Sequence, residues 1–341
     1  MRVLAALDKF KGTATSAELG AAVVATAARH GASGRAIVLS DGGDGLLDVF
    51  GGPNRTASVT GPLGRRVVAP WRLDGERAVI ECARASGLVL AGGRDGNDVL
   101  AATSTGTGEL IAAAVAAGAR HVLVGLGGSA CTDGGLPALD ALGAATLQAL
   151  RDRTVDVVVC CDVTTRYEDA AARFGPQKGA TAAQVAQLTA RLTAARAALR
   201  ERFGVEVGEL PGAGAAGGLG GALAAAGAQL RPGFDVVAGH TALAAAVADA
   251  DLVITGEGRL DRTSFEGKIV GGVLALGASA GTDVVVVAGS IDDTLDHTLD
   301  DTLDGDETAS RAVSLVARFG HERALGDPLG CIAEVVSDLL S

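Results

Sequence analysis

The chain has 341 residues, 48% hydrophobic but only 3% aromatic, with 50 glycines and a net charge of -11. Such a length accommodates a large core and two domains, and the acidic balance argues against nucleic acid as a partner. The longest uncharged stretch, residues 210–230, is mostly glycine and alanine and too weakly apolar to span a membrane.

Short β-branched runs alternate with alanine-rich stretches, which predicts parallel βα units. The expected buried strands are 3–7, 36–39, 122–126, 155–160, 252–255 and 284–288, with a further one at 313–316. The first run meets Asp8-Lys9 before a signal core could form. The second ends in Asp41-Gly42-Gly43-Asp44-Gly45. Residues 55–82 break the alternation: Gly61-Pro62 and Asp74-Gly75 punctuate short apolar runs, as in an antiparallel meander. This predicts a mixed-sheet α/β domain, residues 51–234, inserted into a parallel α/β domain made of 1–50 and 235–341. Thr181 is placed to cap a helix whose Val185, Leu188, Leu192 and Leu199 share one face. In 292–307 the leucines at 295, 299 and 303 could form one stripe of a solvated acidic helix, to which no chemistry is assigned.

Cys82, Cys131, Cys160, Cys161 and Cys331 show no CxxC spacing, and His30, His121, His240, His297 and His321 no ligand spacing. Zinc is therefore not expected, and a reduced, cytoplasmic setting is. Only four of the 29 basic residues are lysines: Lys9, Lys11, Lys178 and Lys268, each beside glycines or loop signals. Lysine is a compact point charge suited to phosphate, and glycine lets backbone approach a ligand.

Strand ends carry carboxylates as well. Asp8 follows the first strand, Asp41 the second, and Glu257 and Asp261 the 252–255 run, with Arg259 between them and Lys268 a turn or two later. A single aspartate there reads as a helix cap; three such strand ends, two with nearby lysines, read as a site. Glycine turns supply backbone amides: Thr105-Gly106-Thr107-Gly108, Gly127-Gly128-Ser129 continuing to Asp133, and the 212–221 loop containing Gly214, Gly217 and Gly218. The last contains a formal GxGxxG, but Glu209 and Pro211 stand where a dinucleotide fold needs a strand. There is no GxxxxGK[ST], and Ser129 lacks a GxSxG elbow. The inventory suits phosphoryl transfer to a small anionic alcohol: amides and cations for phosphate, carboxylates for Mg2+, and a carboxylate to take a hydroxyl proton. Rival readings are a nicotinamide-dependent dehydrogenase using 212–217 and a non-catalytic small-anion binder.

Taken together, the motifs resemble the class I bacterial glycerate kinases. The matching segments include Asp8-Lys9-Phe10-Lys11-Gly12, Asp41-Gly42-Gly43-Asp44-Gly45, Gly61-Pro62-Leu63-Gly64, Glu81-Cys82-Ala83-Arg84-Ala85-Ser86-Gly87 and Thr105-Gly106-Thr107-Gly108-Glu109. They continue with Gly127-Gly128-Ser129-Ala130, Cys161-Asp162-Val163-Thr164, Gly175-Pro176-Gln177-Lys178-Gly179 and Thr255-Gly256-Glu257-Gly258-Arg259-Leu260-Asp261. The resemblance implies ATP-dependent, Mg2+-supported phosphorylation of glycerate, with 2-phosphoglycerate as the usual product, and a flavodoxin-like domain paired with a restriction-enzyme-like one. The segment from Asp133 to Asp162 is shorter than in that family, and Thr165-Arg166-Tyr167-Glu168 replaces its usual Asn-Pro-Leu continuation.

On that basis Asp41 is the expected base, with Asp162 in reserve. Asp8, Glu257 and Asp261 are the expected Mg2+ contacts. Lys11, Lys178, Arg259 and Lys268 would neutralise carboxylate and phosphate. Lys9, Gly127, Gly128, Ser129, Asp133, Gly214, Gly217 and Gly218 would bind substrate or phosphate. The partners expected are glycerate and ATP, with neither membrane nor nucleic acid, and a homodimer is left open.

Overall fold

The computed structural model describes residues 1–265, 267–295 and 311–341. The acidic run from residue 296 to 310, with Leu299 and Leu303 of the expected stripe, lies outside them, while Leu295 is buried beside Val286 and Leu260. The chain forms two compact units, one of Met1–Asp41 with Phe234–Ser341 and one of Gly42–Gly233. The described strands, numbered along the chain, make two sheets.

The first unit holds β1 (Arg2–Leu7), β2 (Ser33–Ala36), β9 (Leu252–Leu260), β10 (Asp283–Ile291) and β11 (Arg311–Ser314), all parallel, in the order β11-β10-β9-β1-β2. Counted within this unit the order is 2-1-3-4-5, the flavodoxin arrangement. Val3, Ala5 and Leu7 pack with Leu19 and Val23 of the helix Ser16–Arg29 and Ile332 and Val336 of the helix Pro328–Leu339. Elsewhere in the unit Val286 and Ala288 cluster with Val270 of the helix Ile269–Ala280. Thr15 starts the first helix through a capping box with Glu18, each satisfying the other's backbone N–H.

The second unit holds β3 (Arg55–Thr60), β4 (Arg66–Asp74), β5 (Arg77–Glu81), β6 (His121–Gly125), β7 (Asp156–Cys160) and β8 (Gln229–Arg231) in sequence order. The β3–β4 and β4–β5 pairs are antiparallel and the rest parallel, so the meander and the parallel βα units share one mixed sheet. Trp71, Ile80, Val122 and Val124 pack with Leu110 of the helix Thr105–Ala116, Leu139 of Leu136–Arg151, and Leu188 and Leu192 of Ala182–Phe203. Thr181 caps that last helix in a second capping box, with Gln184.

Three elements depart from the sequence reading. The strand expected at 36–39 stops at Ala36, because Ser16 Oγ takes the Leu39 N–H at 3.1 Å. The run expected at 313–316 turns helical at Leu315, where Ser314 Oγ accepts the Ala317 N–H. β9 runs on to Leu260 rather than ending at 255. Its glycines serve close strand contact: a Cβ on Gly256 would lie 1.8 Å from the Val287 carbonyl. Glu257 and Arg259 are thus strand residues, two apart and on one face.

Candidate active site

In the parallel unit β1 connects outward to β2 on one side and lies against β9 on the other. Strand order reverses there, and the crevice beyond the carboxyl ends at such a point is where open α/β sheets take ligands. Asp8 stands just past β1, its N–H donating to Gly256 O at 2.8 Å. The next β9 residue, Glu257, brings a second carboxylate to the same point. Burial pushes Asp8 up to about 6; Lys9 and Lys268 offset this and Asp41 adds to it. Burial likewise pushes Glu257 up to about 7, eased by Ser264 and raised further by Asp8. Glu257 Oε1 is buried and, among the described residues, has no hydrogen-bond partner. Asp8 thus feels the charge of Asp41, and Glu257 that of Asp8, at the strand ends.

Around this pair, Lys268 Nζ donates to Thr263 Oγ1 at 3.0 Å, and Thr263 donates through N and Oγ1 to Asp261 Oδ1. Asp261 thus ties its own turn together. Arg259 is paired with Asp292 at 2.6 Å. Lys9 gives its backbone N–H to Asp8 at 2.8 Å. Lys11 is exposed, with its backbone packed near Gly258. Among the described residues no three His, Cys, Asp or Glu side chains are grouped to hold a metal ion.

The mixed-sheet unit gathers a second set at the carboxyl ends of β5, β6 and β7, where Glu81, Gly125 and Cys160 are in register. Glu81 is buried and accepts from Gly45 N at 2.9 Å, Leu47 N at 3.0 Å and Arg84 Nε at 2.8 Å. It holds the Gly42–Gly45 turn against the β6 end. A Cβ on Gly127 would come within 2.8 Å of Gly43 Cα, and one on Gly128 within 3.2 Å of an Asp44 carboxylate oxygen. Asp44 therefore borders the glycine turn. Asp162 follows β7, half-buried.

Beyond Gly128 the chain runs through a buried polar line. Asp133 accepts from Ser104 N at 2.7 Å, Ser104 Oγ at 2.9 Å and Gly135 N at 3.0 Å, while burial pushes its carboxyl up. Lys178 is 3% exposed, and its Nζ donates to Ser129 Oγ at 3.0 Å and Cys131 O at 2.6 Å. Burial pulls this ammonium's pKa down; Cys131, Cys82 and Asp133 push it back.

Gly214, Gly217 and Gly218 lie in this unit too, but buried. A Cβ on Gly214 would sit 2.3 Å from Arg166 O, on Gly217 2.2 Å from Cys131 O, and on Gly218 2.8 Å from Gly134 Cα. These glycines let the 212–221 loop pack beneath Cys131–Gly134. Residues 205–211 contain no strand, so nothing there leads into a dinucleotide-type turn.

Of the residues expected at the site, Lys9, Asp41 and Lys268 act on the charge of Asp8, and Asp8 and Lys268 on that of Glu257, while Arg259 and Asp261 are engaged with local partners. It passed over Asp44, Glu81 and Ser104. Asp44 carried a signal, since it shares a motif with Asp41. Glu81 and Ser104 carried none beyond their motifs, because a buried polar residue declares itself only when its donors converge.

Comparison with known proteins adds a family. The model of the Glycerate kinase family matches residues 3–154 and 145–318. The glycerate 2-kinase of Escherichia coli (strain K12) is 37% identical over 334 residues, covering 86% of each chain. The glycerate kinase of Bacillus subtilis (strain 168) is 38% identical over 327 residues, covering 85% of each. The crystal structure of a protein designated glycerate kinase 2 from Salmonella typhimurium LT2 superposes with a TM-score of 0.79 at 34% identity, covering 100% of this chain and 97% of that one.

Proposed function

Because the chain belongs to the glycerate kinase family, we propose that it transfers the γ-phosphoryl group of ATP to a hydroxyl of glycerate, giving 2-phosphoglycerate. The observation that supports this most directly is the pair of half-buried carboxylates, Asp8 and Glu257, at the reversal of strand order. Two acids pushed up by burial, Asp8 further by Asp41 and Glu257 further by Asp8, one with an oxygen unpartnered among the described residues, form a donor set that a divalent cation would satisfy. Mg2+ is ordinarily held by one or two carboxylates, with phosphate oxygens and water completing its shell. Asp8 and Glu257 fit that requirement, and Mg2+ there would supply charge neutralisation for the phosphates.

In the reaction the glycerate oxygen forms a bond to Pγ, the bond from Pγ to the β-phosphate oxygen breaks, and ADP leaves. The hydroxyl proton passes to a carboxylate. Asp41, which raises the Asp8 pKa by its charge, is our choice for that base, with Asp162 in reserve. Lys9 and Lys268 bring positive charge to Asp8, and Lys268 to Glu257 as well; Lys11 would add a further cation, and Gly127, Gly128 and Ser129 would offer amides and a hydroxyl to phosphate. Relatives such as those of Escherichia coli and Bacillus subtilis carry the name of the kinase, and the 212–221 loop lacks the strand a nicotinamide fold requires, so the dehydrogenase reading has no support.

A coupled ADP-release assay with ATP, Mg2+ and a panel of small hydroxy acids tests the proposal. Glycerate should be turned over, and NMR should place the phosphate on its 2-hydroxyl. No ADP above background with glycerate would overturn it, and phosphate at the 3-position would overturn the product assignment alone.

A further inference from the structure

Lys178 reads from sequence as a cation for a carboxylate or phosphate, yet its ammonium is enclosed and spent on its own fold. At 3% exposure it donates to Ser129 Oγ and Cys131 O. The surrounding backbone is bound as well: Asn97 Nδ2 donates to Lys178 O at 3.0 Å and to Ala130 O at 3.2 Å. The ionisable groups facing Nζ are Cys82, Cys131 and Asp133.

A serine hydroxyl has one proton and two lone pairs, whereas an ammonium has three protons and no lone pair. The contact between them therefore runs one way. Lys178 gives and Ser129 receives, which leaves the Ser129 proton to be given elsewhere. Among the described residues that proton meets no acceptor, although Ser129 is itself only 8% exposed. Ser129 follows Gly127 and Gly128, whose tight turn passes beside Asp44.

We infer that Lys178 is a positioning residue: by occupying one lone pair of Ser129 and the carbonyl of Cys131, it turns the Ser129 hydroxyl into a hydrogen-bond donor to a phosphate oxygen of ATP. The inference deepens the kinase reading and rests on it for the identity of the ligand. It differs from a direct role, since Lys178 need never touch the nucleotide, and from a merely structural one, since its effect must pass through a single hydroxyl.

A double-mutant cycle on the full chain separates these roles. Ser129→Ala, Lys178→Met and the double variant are compared for the ATP dissociation constant without glycerate and for kcat/KM with it. Loss of a hydrogen bond to a charged group weakens interaction roughly 10- to 100-fold. Each single variant should show a loss of about that size, and the double variant should be worse than either by less than about threefold. Losses that multiply would overturn the inference, as would Ser129→Ala binding ATP like the parent. If Lys178→Met does not melt cooperatively, Lys178→Gln takes its place in the cycle. With only four lysines, 15N-lysine labelling gives a second readout: ATP should shift the Lys178 Nζ resonance in the parent and leave it unmoved in Ser129→Ala. A parent that binds ATP without turning over glycerate sinks the kinase reading alone, because the binding cycle still decides this one. A parent that binds no ATP sinks both.

Discussion

Single carboxylates carry the chemistry proposed here, and each has a separable consequence. Asp41→Asn keeps the shape of the side chain and removes its basicity, so kcat should fall at least about a hundredfold with little change in melting temperature. A smaller loss would pass the role to Asp162. Glu257 is a different case, because among the described residues its buried Oε1 lacks a partner, and its pKa is raised by burial and then by Asp8. A cation bound there stabilises the folded state by mass action. Addition of Mg2+ should raise the melting temperature of the parent, and Glu257→Gln should lose most of that rise; thermal melts with and without a chelator read both. Asp8 and Glu257 were visible in the sequence as strand-end acids. Their mutual coupling was not, because it depends on β1 and β9 lying side by side although some 250 positions separate them.

At the level of elements, glycine needed the structure to be understood. The 212–221 loop looks from sequence like a phosphate cradle, but the Gly217 and Gly218 amides donate to Gly214 O, the Gly221 amide to Ala213 O and the Gly214 amide to Thr165 O. Gly217 has φ of 69° and no room for a Cβ, so Gly217→Ala should cost at least about 2 kcal/mol in urea unfolding. The loss should appear in stability before it appears in ATP affinity, the reverse of what a cradle would give. The helix Ala182–Phe203 offers a test in pH. Its Arg196 binds Glu168 at 2.9 Å and Glu206 at 2.6 Å, and Glu206 also accepts the Gly208 N–H. The guanidinium and that N–H hold the Glu206 carboxyl down to about 2. A depressed acid contributes stability above its unfolded value of 4.5 and loses it as pH falls toward 2. Glu206→Gln should therefore flatten the decline of melting temperature between about pH 4.5 and 2, and a parallel decline in both proteins would refute the assignment. The Thr181 cap was legible because it is local, with its partner three residues away. The early end of β2 was not, since it depends on Ser16 reaching Leu39 across the fold.

For the whole molecule, the second unit is one continuous stretch, Gly42–Gly233, with its own core. Expressed alone, it should unfold cooperatively by circular dichroism, and a broad, non-cooperative melt would show that it is not an independent folding unit. The alternation of apolar runs and alanine-rich helices determined the α/β class by itself, because periodicity is a property of neighbouring residues. The turn signals of 55–82 likewise announced the antiparallel pairs that make one sheet mixed. Only the tertiary structure decided that Asp8 and Glu257 share a strand-order reversal, that Glu81 clamps the Gly42–Gly45 turn, and that Lys178 lies buried against Ser129. Each of these depends on groups distant in the chain meeting where water is excluded, and both burial and hydrogen-bond convergence are properties of three-dimensional proximity that no local pattern encodes.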